Sequence, residues 1–338
     1  MRKTQVALAA LALVASTAAM ANGVTVYGTA DASVYNAGGT TGFAGTGNWG
    51  TSVLGFKGSE DLGGGLKASF NLEQGLNFGT GSEANPGVSS TSTSKAAFNR
   101  LANVGLSGDF GSLTLGLQLS PFIAASLGGY ANGNASFYVN ALALTTVSVA
   151  SYGSSATATG GFFIPNAVTY SLPSIGGVNA SVMTTLDGGV AANQYTAVSV
   201  GTAVGAIGLN GAYQQRGGGS GTGYKSYNIN GSTNVGDIRV AAGYTSHDVD
   251  GTTAVVNGYN LGASYALNGA TAVSLNYAGA TGSKSVTNAG VTYNLSKSTF
   301  LYGTVSYGKN GAGVVYETSP TYTTGNKTGY AVGVSHSF

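Results

Sequence analysis

Two histidines are the only imidazoles in this 338-residue chain, His247 and His336. His247 sits in "SHDVD" with Asp248 and Asp250, a spacing that could in principle hold a metal ion or activate water. At the base of a loop it reads as a solvated polar turn. His336 shares alternation parity with Val334 and Phe338, which places it on an outward face, away from any cavity. There is no Cys, so thiolate metal sites and disulfides are excluded. No G-x-S-x-G or Walker pattern occurs, and "GTGNWG" and "GGGSGTG" are loop glycines without a strand-to-helix context. The residues therefore support no catalytic site, no metal site and no cofactor. The polar groups with interesting spacing are of another kind: Arg100 stands in "FNRLANVGL", and from residue 110 to residue 186 there is no charged side chain at all.

The elements that must position these groups follow from composition and periodicity. "MRKTQ" followed by "VALAALALVAST" and Ala19-Met20-Ala21 has the form of a cleaved export signal over residues 1–21, and the general secretory route is expected. Loss of Arg2 and Lys3 leaves 11 basic against 11 acidic residues of the 13 and 11 in the whole chain. A net charge of zero argues against a nucleic-acid partner. Charged residues are only 7% of the chain against roughly 25% in soluble proteins, while 20 Tyr, 12 Phe and many Val favour strands. Apart from the leader, no apolar run approaches the ~20 residues of a membrane helix.

From Val24 the sequence breaks into segments of about ten residues that alternate with period two. In "VTVYGTADASVY", Val24, Val26, Ala30, Ala32 and Val34 form one face, and Thr25, Tyr27, Thr29, Asp31, Ser33 and Tyr35 the other. "SVLGFKG", "NAVTYSLP", "TAVSLNYAG", "AGVTYNLS" and "TFLYGTVSYG" repeat the split. Tight connections ("DLGGG", "SGDFGS", "PSIGG", "VGD", "LNGA", "SKS") alternate with long Gly/Ser/Thr/Asn tracts, the habit of outer-membrane barrels. In hydrocarbon every backbone amide needs a partner, which a sheet achieves only by closing. The expected fold is all-β, a transmembrane antiparallel barrel of about sixteen strands spanning 22–338, with its strand limits least defined between Gln194 and Asn234. The last strand, with Tyr330, Val332, Val334 and Phe338 facing lipid or a neighbouring subunit, must pair with the first. Residues 120–163 have no convincing strand. With Phe122, Tyr130, Phe137 and Tyr138 among small neutral residues, they are expected to fold into the barrel and narrow it.

The blocks "VTVYGTADAS", "LGFKGSEDLGGGLKASFNLEQG", "FNRLANVGLSGDFGSLTLG", "YNLSKSTFLYGTVSYG" and "VGVSHSF" resemble the trimeric general porins of Gram-negative outer membranes, in the branch common in β-proteobacteria. The resemblance implies an outer-membrane homotrimer for passive diffusion of small hydrophilic solutes, a third external loop bent inward as an eyelet, and an aromatic terminus read by the barrel assembly machinery. It also implies basic side chains on the eyelet wall, and here the pattern breaks. Positions that carry cations in relatives fall on Val53, Phe163 and Thr29, and Arg100 alone remains. The wall residues expected at the constriction are Thr29, Asp31, Val53, Lys57, Arg100 and Phe163. Alternation places Val53 with Lys57, and Phe163 with Ala167 and Thr169, on the inner side. Such an eyelet should favour neutral solutes, because transverse charge is what sorts ions there. A structural or adhesive barrel with a plugged lumen is the alternative.

Overall fold

The computed structural model describes residues 23–84, 97–131, 162–186, 194–217, 223–250, 255–310 and 325–338. The expected leader (1–21), Phe137 and Tyr138 lie outside them. Sixteen strands make the wall: β1 Thr25–Ala37, β2 Val53–Gly63, β3 Leu66–Asn77, β4 Leu101–Gly108, β5 Gly111–Leu119, β6 Phe163–Ser171, β7 Asn179–Thr185 and β8 Tyr195–Val204. The second half is β9 Ile207–Arg216, β10 Tyr224–Val235, β11 Ile238–Val249, β12 Val255–Ala266, β13 Thr271–Ala280, β14 Lys284–Asn294, β15 Thr299–Lys309 and β16 Lys327–Ser337. A helix, α1 (Pro121–Ser126), follows β5, and two short strands, Thr40–Ala44 and Ser82–Glu83, extend β1 and β3.

Each wall strand pairs antiparallel with the next, and β16 returns to β1 with Thr29 opposite Ser337 and Val34 opposite Val332. Phe338 continues the seam by exchanging backbone hydrogen bonds of 3.0 and 3.1 Å with Gly28. The sheet is closed and has no free edge, as the composition requires.

The two faces differ as alternation dictates. Val198, Val200, Leu209, Tyr227, Ile229, Leu261, Val305, Tyr330, Val332 and Val334 are exposed, while Ser226, Asn228, Asn230, Asn276, Asn288 and Ser306, one position along, are buried. In a closed sheet the face that can bury side chains is the inner one. The interval 194–234 holds β8, β9 and most of β10. Its pattern is weak in sequence because small Ala197, Ser199, Gly201 and Ala203 oppose the outward valines, so the two faces differ little in polarity. Tight turns gather at one end: Gly176 and Gly177, at φ 60° and 81°, close β6 onto β7 through an Ile175–Val178 bridge, a mirror-image turn that only glycine enters without cost.

The expectation for His247 and the alternation argued around Phe163 need correction. His247 is not in a turn but within β11, buried, with Nδ1 2.6 Å from Ser226 Oγ. Asp248 is exposed, on the other side of the strand, and among the described residues no three His, Cys, Asp or Glu converge as a metal site. The parity argument linking Phe163 to Ala167 also fails. The β5–β6 register shifts between Gly116 and Gln118, and Asn166 takes φ 53°; such a bulge interrupts the alternation.

Val332, 68% exposed on the seam strand, tests the orientation. Val332→Arg should destabilise the barrel by about 2–4 kcal/mol if this residue lies near the bilayer midplane. The expected result is loss of the heat-modifiable folded band and a lower denaturant midpoint in lipid vesicles.

Candidate functional site

On the wall from β1 to β6, Lys57, Glu73 and Arg100 come together around Tyr27 and Phe163. Tyr27 faces Gly55 across the β1–β2 ladder, and its ring occupies the space a Cβ at Gly55 would need. Lying flat over β2, it brings its hydroxyl to 2.8 Å from Asn71 Oδ1 and 2.9 Å from Glu73 Oε2 on β3. Glu73 Oε1 accepts a hydrogen bond of 2.5 Å from Arg100 Nε, and both side chains are largely covered, 11% and 14% exposed. The Arg100 guanidinium lies 4.6 Å from the centre of the Phe163 ring, and Lys57 Nζ 5.1 Å from that of Tyr27. Each cation is thus backed by an aromatic face, a favourable arrangement worth about 0.5–2 kcal/mol depending on exposure. Lys57 remains exposed.

The structure therefore brings Lys57, Arg100 and Phe163 into one group and adds two members the sequence reading passed over, Tyr27 and Glu73. Glu73 was within reach of pattern reading, since Lys67, Ser69, Asn71 and Glu73 alternate along β3. Val53 is buried opposite Thr29, next along the same ladder, and Thr29 is half-buried beside Ser337. Asp31 points inward but is wholly enclosed. Its Oδ1 accepts from the Asn48 amide (2.9 Å) and the Tyr302 hydroxyl (2.7 Å), and its Oδ2 from the Gly50 amide (3.1 Å). Its carboxylate holds a backbone segment and has no exposed surface.

On the facing side, Ser120–Ala131 packs against the inner face of β8 to β12. Ser120 caps α1, its Oγ accepting from the Phe122 amide at 3.2 Å with Pro121 in the first turn. A six-residue helix leaves its last carbonyls unpaired, and wall side chains supply the donors. Asn228 Nδ2 donates to Phe122 O (3.0 Å) and Ser126 Oγ (2.8 Å), and Asn230 Nδ2 to Ala125 O (3.2 Å). Asn260 Nδ2 reaches Gly129 O and Ser264 Oγ reaches Ala131 O. Phe122 and Ile123 fill a small apolar patch with Ala212, Ala278, Ala280 and Val286, and Tyr130 is buried in the same cluster. This segment carries no charge.

Tyr330, Val332, Val334 and Phe338 all lie on the exposed face of the seam. His336 is exposed beside them, with Nδ1 2.8 Å from Thr299 Oγ1 and its ring stacked on Phe338.

A family model described as Gram-negative porin matches residues 7–313. Over its full length, and the full length of the relative, the chain is 32% identical to outer membrane porin protein 32 of Delftia acidovorans. A 75-residue stretch, 22% of this chain and 16% of the relative, is 43% identical to major outer membrane protein P.IA of Neisseria meningitidis. Among solved structures the anion-selective porin from Comamonas acidovorans superposes with a TM-score of 0.67 at 26% identity, covering 94% of this chain and all of that one.

The wall asparagines are open to test. Asn228→Asp removes the donor to Phe122 O and sets a carboxylate against that carbonyl. Phe122 O keeps its bond from Ser126 Oγ at 2.9 Å, and loss of the amide donor beside a new carboxylate should cost about 1–3 kcal/mol, read as faster amide hydrogen exchange across 121–129 with little change at the β1–β16 seam.

Proposed function

The chain belongs to the Gram-negative porin family, and we propose how this member treats charge. As an outer-membrane porin it is a passive diffusion channel; a plugged structural barrel is not favoured. The reading adds that the leader 1–21 is removed on export by the general secretory route, and that the mature chain forms a homotrimer in outer-membrane lipid. It adds also that the assembly machinery recognises the strand bearing Tyr330, Val332, Val334 and Phe338. Catalysis has no part in it.

The reading of selectivity rests on one observation, the Arg100–Glu73 ion pair. Ser120–Ala131 begins the inward-folded third external loop, and the eyelet lies between it and the wall bearing Thr29, Val53, Lys57, Arg100 and Phe163. Where the eyelet wall needs an excess of one sign to sort ions, Arg100 is matched by a carboxylate at contact distance. Val53 and Phe163 contribute no charge, and the loop segment contributes none. An ion meets a dipole there, whose field falls off faster than that of a lone charge. Lys57 is the one uncompensated cation of the group, so the channel passes small neutral solutes readily and prefers anions slightly. The Comamonas acidovorans relative is described as anion-selective.

Selectivity is read as the zero-current potential across a planar bilayer under a tenfold salt gradient. Wild type should show a small anion preference at low salt and almost none at molar salt, where the Debye length is ~3 Å. Val53→Arg adds one uncompensated charge, worth ~1 kcal/mol for an ion at ~4 Å even in bulk water. That corresponds to roughly a fivefold gain in anion over cation permeability. A wild type already strongly selective, or a variant with an unmoved potential, refutes this reading of the eyelet.

A further inference from the structure

Between β1 and β2 the wall is interrupted. Above the break β1 pairs with Thr40–Ala44, from Ala37 opposite Thr40 down to Ser33 opposite Ala44. Below it pairing resumes with Val53 opposite Thr29. Residues 45–52, "GTGNWGTS", leave the sheet in between, at the level of Asp31. They turn to the inner side, because the side chains that receive them are inward ones.

Asp31 fixes the excursion. Its carboxylate accepts the amides of Asn48 and Gly50, the residues on either side of Trp49. Its own amide donates to Ser52 Oγ at 3.0 Å, and that hydroxyl donates back to Asp31 O at 2.8 Å. Gly47 takes φ +99° with Gly50 O packed against it, so a Cβ at residue 47 has no room. With its backbone clamped on both sides, Trp49 has a defined direction. It crosses the inner face of β16 and lays its ring against Tyr302 (centroids 5.5 Å apart) and edge-on to Phe300 (5.9 Å). Gly290 on β14 lies beneath it: a Cβ there would be in ordinary contact with Trp49 Cζ3, at 3.5 Å. The Tyr302 hydroxyl, bonded to Asp31, joins the clamp to the platform.

Three aromatic rings are thus assembled on the inner wall away from the Arg100 group. Tyr302 is buried, but Trp49 and Phe300 keep part of their surface open. Thr292 and Thr304 are half-exposed, and Asn294 is exposed, on the same inward rows of β14 and β15. Across residues 285–308 the only charge is Lys297, in the turn joining the two strands. An aromatic face ringed by hydroxyls and amides, whose one neighbouring carboxylate, Asp31, is wholly enclosed, binds rings that offer a C–H face and hydroxyls at the rim.

We propose that Trp49, backed by Tyr302 and Phe300, is a contact site inside the channel for neutral sugar rings. Residues 45–52 then form a second inward element besides Ser120–Ala131. The proposal rests on the inner face being the solute path, as read above, and supplies the solute class that the weak charge selectivity leaves open.

Trp49 is the only tryptophan of the chain, so its emission reports the site directly. The experiment uses the refolded full-length mature protein, its folding checked by heat-modifiability, with glucose and maltose as probes and gluconate as a charged control. Expected are a saturable change in Trp49 emission and, in planar bilayers, a saturable fall in potassium chloride conductance with each sugar, with a smaller effect of gluconate. Trp49→Ala should abolish the saturable fall and raise conductance in sugar-free salt, whereas Trp49→Phe should keep a weakened response. If Trp49→Ala does not fold, loss of the response in Phe300→Leu serves the same purpose. Conductance that falls only in proportion to solution viscosity, or falls equally in Trp49→Ala, overturns the site while leaving the porin reading intact. A folded protein that passes no current at all overturns the solute path, and the site with it.

Discussion

A backbone amide in hydrocarbon has no water to turn to, and leaving it unpaired costs several kcal/mol. The rest of this molecule depends on meeting that demand by joining β16 to β1. Once the sheet is closed, its outer face can carry only what lipid accepts, which is why charge falls to 7% of the chain and Val, Leu and Tyr occupy the exposed rows. Closure also creates an interior that water can reach, and polar side chains collect there because the outside will not have them. Period-two alternation is the linear record of this division.

Two described segments leave the sheet, residues 45–52 and Ser120–Ala131, and each carries backbone groups with no strand to pair with. Wall side chains answer both in the same manner. Asparagines on β10 and β12 donate to the carbonyls that α1 and the following turn leave open, while Asp31 accepts amides from the segment around Trp49. A donor set meets carbonyls in one case, and an acceptor meets amides in the other. Glycine opposite an aromatic is the second recurring device: Tyr27 lies over Gly55 and Tyr302 over Gly333, so each ring lies across the neighbouring strand and its hydroxyl reaches the strand beyond.

The strands and the turn ends were legible because they are local: a side chain's face depends on its own strand's pleat, and a tight turn on a few consecutive residues. Parity linked Asp31 to Ser33 and Lys57 to Val53; the structure buries the other three and leaves Lys57 exposed. Parity lost its ground for Phe163, because an extra residue at the Asn166 bulge breaks the alternation with Ala167, although the Phe163 ring does lie against Arg100. It could not say what Asp31 holds. That depends on Tyr302, 271 positions away, coming alongside when the barrel closes. The partnership of Arg100 with Glu73 required the β3–β4 register and was likewise out of reach, although each residue is plainly polar in the sequence. His247 looked solvated because its neighbours are acidic; its burial arises from the Phe122 ring, 6.1 Å away, which arrives from α1.

Pairing Arg100 with Glu73 has a structural rationale independent of permeation. A guanidinium only 14% exposed and pressed against Phe163 loses much of its hydration, and an uncompensated charge in that position is costly. Glu73 offsets the loss, and the Tyr27 hydroxyl in turn bonds the far oxygen of Glu73. On the reading proposed above, the same three contacts that offset burial also reduce the field of Arg100 to that of a dipole. Among the described residues, Lys57 has no such carboxylate in contact and stays exposed, which on the same reading leaves a slight positive excess. On that reading discrimination among solutes rests on shape and on non-ionic surface, and the two segments that leave the sheet supply such surface in Phe122, Tyr130 and Trp49.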